Sequence, residues 1–242
     1  MYKQLSIKLS KWIYSKVRNS GAGGCIIGIS GGVDSAVVAA LCKNVFPSST
    51  LAYHVNCHNN PRDIDDALLV AESLNIPIEV LELDSHYDSF ISTLSNHMSS
   101  QPRNPLYASN VKPRMRMAAL YFYSQVYHYL VIGTGNKSEL SIGYFTKHGD
   151  GGVDILPIGN LVKTQVWELA KYLGIPERVI NKAPSAGLWP NQTDEGEIGI
   201  TYQQLDRYLL TGQAELNIQA KIDRLIIKNE HKLKLPQIPR IK

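Results

Sequence analysis

The chain has 242 residues, 44% of them hydrophobic, and a formal net charge of +4. This fits a single α/β domain over residues 1–242 with a sizeable core, and it excludes a disordered or fibrous chain. The mild charge suits small anionic substrates and gives no case for nucleic acid, and no apolar run reaches the ~20 residues of a membrane span. Three cysteines (Cys25, Cys42 and Cys57) show no paired spacing. They read as buried thiols of a reducing compartment, which makes the cytoplasm the expected location.

Leu5, Ile7, Leu9, Trp12, Ile13 and Val17 are helix-spaced and predict an amphipathic helix over Met1–Arg18, packed on the core. Cys25–Ile29 reads as a short buried strand, and Val33–Val45 as a helix on a sheet. Thr50–Val55 is a second strand, Asp63–Asn75 a helix, and Ile78–Leu83 a third strand after Pro77. A helix from Asp84 decays into a loop at Ser99–Pro105. Asn110 is a plausible N-cap for a long helix to Tyr127, and Tyr129–Thr134 is a fourth strand. Strands alternating with helices predict a parallel sheet covered on both faces, and its crevice should be flanked by the Gly-ended strands at Gly28 and Gly133. Ser141–Asp154 reads as an ordered loop and Val162–Leu173 as a helix stopped by Gly174. Pro184–Gly199 reads as a long structureless loop, followed by closing helices at Thr201–Leu210 and Ala214–Asn229 and a basic extended tail.

Gly28-Ile-Ser-Gly-Gly-Val-Asp-Ser35 is the stretch with the most chemistry. It lies between a strand and a helix. Gly31 and Gly32 let the backbone bend and approach a ligand, while the loop N–H groups and the helix N-terminus favour phosphate. Asp34 would repel that phosphate unless Mg²⁺ bridged the two, which makes it a metal-ligand candidate. The loop lacks the Lys of a Walker A motif, and no GxGxxG follows the strand. The plain alternative is a turn that binds nothing.

The Ser-Gly-Gly-x-Asp-Ser pattern resembles the pyrophosphate loop of ATP pyrophosphatases, which activate a carboxylate or carbonyl as an adenylate. Further pieces follow in order: Gly133-Thr-Gly-Asn-Lys-Ser-Glu139, Thr146-Lys-His-Gly-Asp-Gly-Gly-Val-Asp154, Lys163 and Ala183-Pro-Ser-Ala186. Together, from about Gly28 to Lys232, they closely resemble ammonia-dependent NAD synthetase. The resemblance implies an α/β fold: a doubly wound parallel sheet, adenine nucleotide alpha-hydrolase-like, with C-terminal helices. It implies ATP binding by Gly28, Ile29, Ser30, Gly31, Gly32, Val33, Asp34, Ser35, Thr134, Lys163 and Ser185. Asp34 and Glu139 become Mg²⁺ ligands, and Arg114, Lys147, Asp154, His231 and Lys232 become contacts to deamido-NAD. Ser185 stands where the family usually has Thr and keeps the hydroxyl.

The implied reaction joins ammonia to a nicotinate carboxylate after ATP has converted it to an acyl adenylate. Two anions must meet, so cations are needed, and Mg²⁺ with Lys163 would supply them. No triad is required. Asp150 is the candidate acceptor of the ammonium proton. The resemblance also implies a homodimer, for which Met117, Leu120, Tyr121 and Tyr127 offer an apolar stripe; core packing within one chain is the simple alternative. Other readings are a tRNA-modifying or GMP-forming ATP pyrophosphatase, and a nucleotide sensor that does without Glu139 and Lys163. Arg114 and Arg116 after Lys112 could be plain surface charge. His54, Cys57 and His58 lack a fourth ligand for zinc. The stretch Val55–Arg62 departs from the family's usual composition, and the resemblance implies adenosine contacts near it without assigning them to particular residues.

Overall fold

The structure is a computed structural model describing residues 1–98, 106–189, 191–239 and 241. The expected loop at Ser99–Pro105 and Pro190 lie outside the described residues. The elements follow one another as α1 (Tyr2–Asn19), β1 (Cys25–Gly28), α2 (Val33–Lys43), β2 (Thr50–Asn56), α3 (Pro61–Ser73) and β3 (Ile78–Glu82). Next come α4 (Asp84–Asn96), α5 (Leu106–Ser109), α6 (Val111–Tyr127), β4 (Leu130–Val131) and α7 (Lys137–Ile142). The last part holds α8 (Lys163–Leu173), α9 (Glu177–Ile180), α10 (Asp194–Ile198), α11 (Tyr202–Thr211) and α12 (Leu216–Asn229). Among the described residues no helix is long and apolar enough to cross a membrane.

The sheet is parallel, in the order β3-β2-β1-β4. The chain builds outward from β1 to β3, then returns past β1 to place β4 on its other side. The order therefore reverses between β1 and β4, where an open α/β sheet leaves a crevice at the carboxyl ends of its strands. The turns after Gly28 and Gly133 flank that crevice, as the sequence predicts.

The apolar run in β1 is continuous because both sheet faces are covered. Cys25, Ile27 and Ile29 face the larger core, formed with α1, α2 and α8. Ile26 faces the other way, with Tyr53 and Val55, toward Leu120 and Tyr123 of α6. A third cluster (Ile142, Ile198, Ile200, Tyr202, Leu205 and Ile222) joins α7, α10, α11 and α12. Cys25, Cys42 and Cys57 are buried and unpaired.

Several expectations need correction. On α1 the buried stripe is Ser6, Ser10, Ile13 and Val17, while Ile7 and Trp12 are exposed. Ser10 Oγ donates to Leu41 O at 3.1 Å, so a polar bond locks α1 onto α2. Strand four shrinks to two residues plus a bridge from Ile132 to Ile155, and Asp154 Oδ2 accepts from Val131 N at 2.8 Å. Asn110 precedes α6 but does not cap it; its Oδ1 accepts from Thr146 Oγ1 at 3.0 Å. α7 absorbs the start of the expected loop at Ser141–Asp154. α10 interrupts the loop expected at Pro184–Gly199, since Thr193 caps it by accepting from Gly196 N and Gly199 closes it in the left-handed region. The apolar stripe of α6 also splits. Leu120 packs beside Gly28 and Met117 beside Gly152, whereas Phe122, Val126 and Tyr127 are exposed.

A Cβ on Gly24 would stand 2.1 Å from Ser49 O and 2.7 Å from Ser49 Cβ. Both belong to the turn that feeds β2, so the backbone must shift. Overpacking of this kind costs about 1–3 kcal/mol, and a chain of this size loses about 2–4 °C of melting temperature per kcal/mol. Gly24→Ala should therefore melt several degrees lower by calorimetry.

Candidate active site

The loop after β1 closes on itself. Ser35 Oγ donates to Gly32 O at 2.9 Å and accepts from Ser30 N at 3.2 Å. Ser30 Oγ, which shares a bond with Ser35 Oγ at 3.2 Å, accepts from Gly32 N at 3.3 Å. Gly31 has φ +78°, and a Cβ there would lie 2.5 Å from Asp63 O, so glycine is required by both conformation and contact. Gly32 has an ordinary extended backbone and no such requirement. α2 starts without a side-chain cap, which leaves its first N–H groups to an anion.

Lys163 is the charge centre. Its side chain is 3% exposed; Nζ bonds Asp34 Oδ2 in a short ion pair and Glu139 Oε1 at 3.4 Å. It also lies 5.0 Å from the centroid of the Tyr202 ring, and Tyr202 donates to Asp194 Oδ2 at 2.8 Å. Burial lowers the ammonium's pKa, but the two carboxylates outweigh that and hold it above its ordinary value. Burial, with the Asp34 charge beside it, pushes the Glu139 carboxyl up to about 8.

Sequence reading missed two residues that build this centre. Asn136, fully buried, caps α7 in a box with Glu139 and donates from Nδ2 to Asp34 Oδ1 at 2.9 Å. Asn three residues before Glu is a capping-box signal and could have been read. Asp206, on α11, accepts from Ser138 Oγ in a short bond and from Thr164 N at 2.7 Å, pinning the starts of α7 and α8. Nothing in the sequence near Asp206 announces this. A third missed residue, Lys182, spans Asp63 and Asp66 at 2.7 Å and Gly31 O at 3.3 Å. It holds the segment carrying Ser185 against the phosphate loop. Ser185 itself is exposed, and its Oγ accepts from Gly187 N.

A cavity of about 220 Å³ adjoins the charge centre, lined by Thr134, Glu139, Asp150 and Lys232 among others. Asp150 as a whole is exposed, yet it lines this cavity, and burial of its carboxyl raises it above the ordinary carboxylate value. Thr146 N–H, Arg116 and Lys232 offset part of the rise. Lys232 Nζ donates to Gly143 O and Phe145 O, and Lys147 Nζ to His231 O at 2.7 Å. The tail is thereby clasped to the 143–147 loop. Arg114 is exposed and reaches Lys147 O at 3.4 Å. Arg114, Lys147, His231 and Lys232 thus gather on one rim. Asp154 stands apart, bound by Tyr121 Oη and Val131 N. A larger hollow beside Lys43, Glu72 and Pro77 lies at the amino ends of β2 and β3, the wrong end of the sheet for a ligand.

Asp34 and Glu139 offer a cation hard oxygens, and among the described residues no third His, Cys, Asp or Glu joins them in a metal-holding group. Mg²⁺ is commonly held by one or two carboxylates plus substrate phosphates and water, so the donor set fits it. His58 is engaged elsewhere, by Asp84 and Asp88.

The NAD synthase family model matches residues 5–236. The chain belongs to the NAD synthase family. It is 49% identical over 238 residues to the NH(3)-dependent NAD(+) synthetase of Carboxydothermus hydrogenoformans, covering 98% of each chain. The NMN synthetase structure from Francisella tularensis superposes with a TM-score of 0.94 at 40% identity, covering 100% of this chain and 99% of that one. The NH3-dependent NAD synthetase structure from Campylobacter jejuni gives 0.81 at 33% identity, with 99% of each covered. In this member of the family the charge centre is assembled from the starts of α2, α7 and α8.

The raised Glu139 value fixes the sign of a pH effect. The folded chain keeps this proton where the unfolded chain has lost it, so stability falls as pH rises from the ordinary carboxylate range toward about 8. Glu139→Gln removes that loss. Its ligand-free melting temperature should exceed the parent's by more at about pH 8 than at about pH 5. An equal difference at both would refute the assignment.

Proposed function

We propose that the chain amidates the pyridine carboxylate of deamido-NAD with ammonia and ATP, giving NAD, AMP and pyrophosphate through an acyl adenylate. The observation that carries this reading is the buried Lys163, tied to Asp34 of the phosphate loop and to Glu139 of the cavity wall. It joins the place where ATP phosphates dock to the place where a carboxylate must arrive.

The free N–H groups at the start of α2 receive the phosphates, and Ser30 and Ser35 brace the loop. Lys163 offsets the repulsion as a carboxylate oxygen attacks the α-phosphorus and the bond to the β-phosphate breaks, releasing pyrophosphate. Mg²⁺ on Asp34 and Glu139 would supply further charge stabilisation to the phosphates. Ammonia then attacks the acyl carbon, the carbon–oxygen bond to AMP breaks, and the surplus proton passes to Asp150 on the cavity wall. Arg114, Lys147, Asp154, His231 and Lys232 serve the nucleotide substrate, and Thr134 and Ser185 serve ATP. Burial raises the Cys42 and Cys57 thiols, the opposite of an activated nucleophile, which favours free ammonia over glutamine.

The segment after Pro184 acts as a lid that keeps water from the adenylate. The exposed face of Phe122, Val126 and Tyr127 is buried in a homodimer, and the enzyme works in the cytoplasm. A monomer by light scattering at working concentration would contradict the dimer.

A second reading is favoured by one observation, the likeness to the NMN synthetase structure. The same chemistry on nicotinate mononucleotide would give the mononucleotide amide. Parallel assays with ATP, ammonium and either nucleotide decide between the two: a higher kcat/KM for deamido-NAD supports the first reading, and the reverse supports the second. Asp34→Asn and Lys163→Met should lower pyrophosphate release by about 100-fold or more, since each removes charge stabilisation from the transition state. Asp150→Asn should raise the KM for ammonium more than that for ATP. Full activity in any of the three would remove that residue from its role.

A further inference from the structure

Two cations near the carboxyl end of β2 have no carboxylate of their own. Lys112 and Arg116 lie one turn apart near the start of α6. Lys112 is 6% exposed; its Nζ donates to Leu188 O at 3.1 Å and lies 5.5 Å from the centroid of the Tyr87 ring. Arg116 donates from Nε to Val55 O at 3.2 Å and from Nη2 to Asn59 Oδ1 at 2.7 Å. All of these acceptors are neutral. Among the described residues no ion pair within 4.0 Å includes either cation. Asp84 and Asp88 are near Lys112 but are occupied by His58.

A buried charge without a counter-charge is costly, and the cost is relieved when an anion arrives. Arg116 is also well placed to receive one. Val55 and Asn59 fix its guanidinium at the carboxyl end of β2. Asp63, beside Gly31 of the phosphate loop, and Asp150, on the cavity wall, are both within electrostatic range of it; they offset part of its charge without forming an ion pair, and an arriving phosphate must outcompete them. Of the five N–H donors of a guanidinium, those not bound to Val55 and Asn59 form a fork suited to two phosphate oxygens. Burial lowers the pKa of both cations, as expected for charges lacking a partner.

We propose that Arg116, backed by Lys112, forms an anion subsite at the carboxyl end of β2 that binds a phosphate group of a bound nucleotide. The identity of that nucleotide rests on the amidation reading: the phosphate belongs either to ATP or to the pyridine nucleotide. The subsite is distinct from the phosphate loop, where the ligand groups are backbone N–H and hydroxyl. A structural Arg116, serving only to pin the turn after β2, is the competing explanation.

Calorimetric titration of the full chain separates these possibilities. The ligands are ATP, deamido-NAD and nicotinate riboside, which has no phosphate; the proteins are the parent, Arg116→Gln, Arg116→Lys and Lys112→Met. Arg116→Gln should bind one of the two nucleotides about 10- to 100-fold more weakly, as for a lost charge-assisted bond, and the affected nucleotide names the source of the phosphate. The riboside should bind all variants alike, and Arg116→Lys should fall between parent and Gln. Unchanged affinity for both nucleotides, with or without a lower melting temperature, overturns the subsite. If Arg116→Gln does not fold, Arg116→Lys and Lys112→Met decide, and parent-like affinity in both overturns it. If the parent binds neither nucleotide, the amidation reading fails by itself. Inorganic phosphate then tests the subsite: its stabilisation of the parent against heat should be weaker in Arg116→Gln, and equal stabilisation overturns the proposal.

Discussion

An ammonium buried between two carboxylates organises this molecule. Lys163 begins α8, Asp34 lies in the first turn of α2, and Glu139 lies in the first turn of α7. A cation this far from water is tolerated only when it is paired, and removing one partner leaves a charge stranded. Three helix starts must therefore converge on one point. The reversal of strand order between β1 and β4 makes this possible, since it brings the turns after both strands to the same end of the sheet. Asp194 also lies within electrostatic range of Lys163, so three acidic side chains surround one ammonium.

The C-terminal helices, which add nothing to the sheet, hold this centre in place. Asp206 grips the starts of α7 and α8 through Ser138 and Thr164, and Tyr202 roofs the Lys163 ammonium. The tail then folds back so that Lys232 binds Gly143 O and Phe145 O. The C-terminal segment thus determines where the charge centre and the cavity wall stand, and such support makes a charged site rigid.

Much of this is legible in the sequence, for physical reasons. β1 is readable because both its faces are buried, giving an unbroken apolar run. The phosphate loop is readable because Gly31 meets a requirement no other residue meets. The stop of α8 at Gly174 is readable for the same reason, as its φ is +72°. What escapes the sequence depends on distant partners. Ser6 and Ser10 look like surface residues until α2 is packed against them. Lys112 and Arg116 look like a basic helix start until α6 turns them inward. α10 is five residues long, too short for periodicity to show, and only its Thr193 cap and Gly199 stop hint at it. Asp206 and Lys182 act across more than 40 and 110 residues of chain, and no local pattern encodes such reach.

The proposed reaction joins a carboxylate to the α-phosphorus of ATP at one site, without a protein nucleophile. The most direct test is to follow oxygen. The parent chain is given ATP, ammonium and a pyridine nucleotide whose carboxylate carries a heavy-oxygen label, and the products are weighed by mass spectrometry. One labelled oxygen is expected in AMP and none in pyrophosphate. Label in an inorganic phosphate released with ADP, or label absent from AMP while the amide still forms, would contradict it.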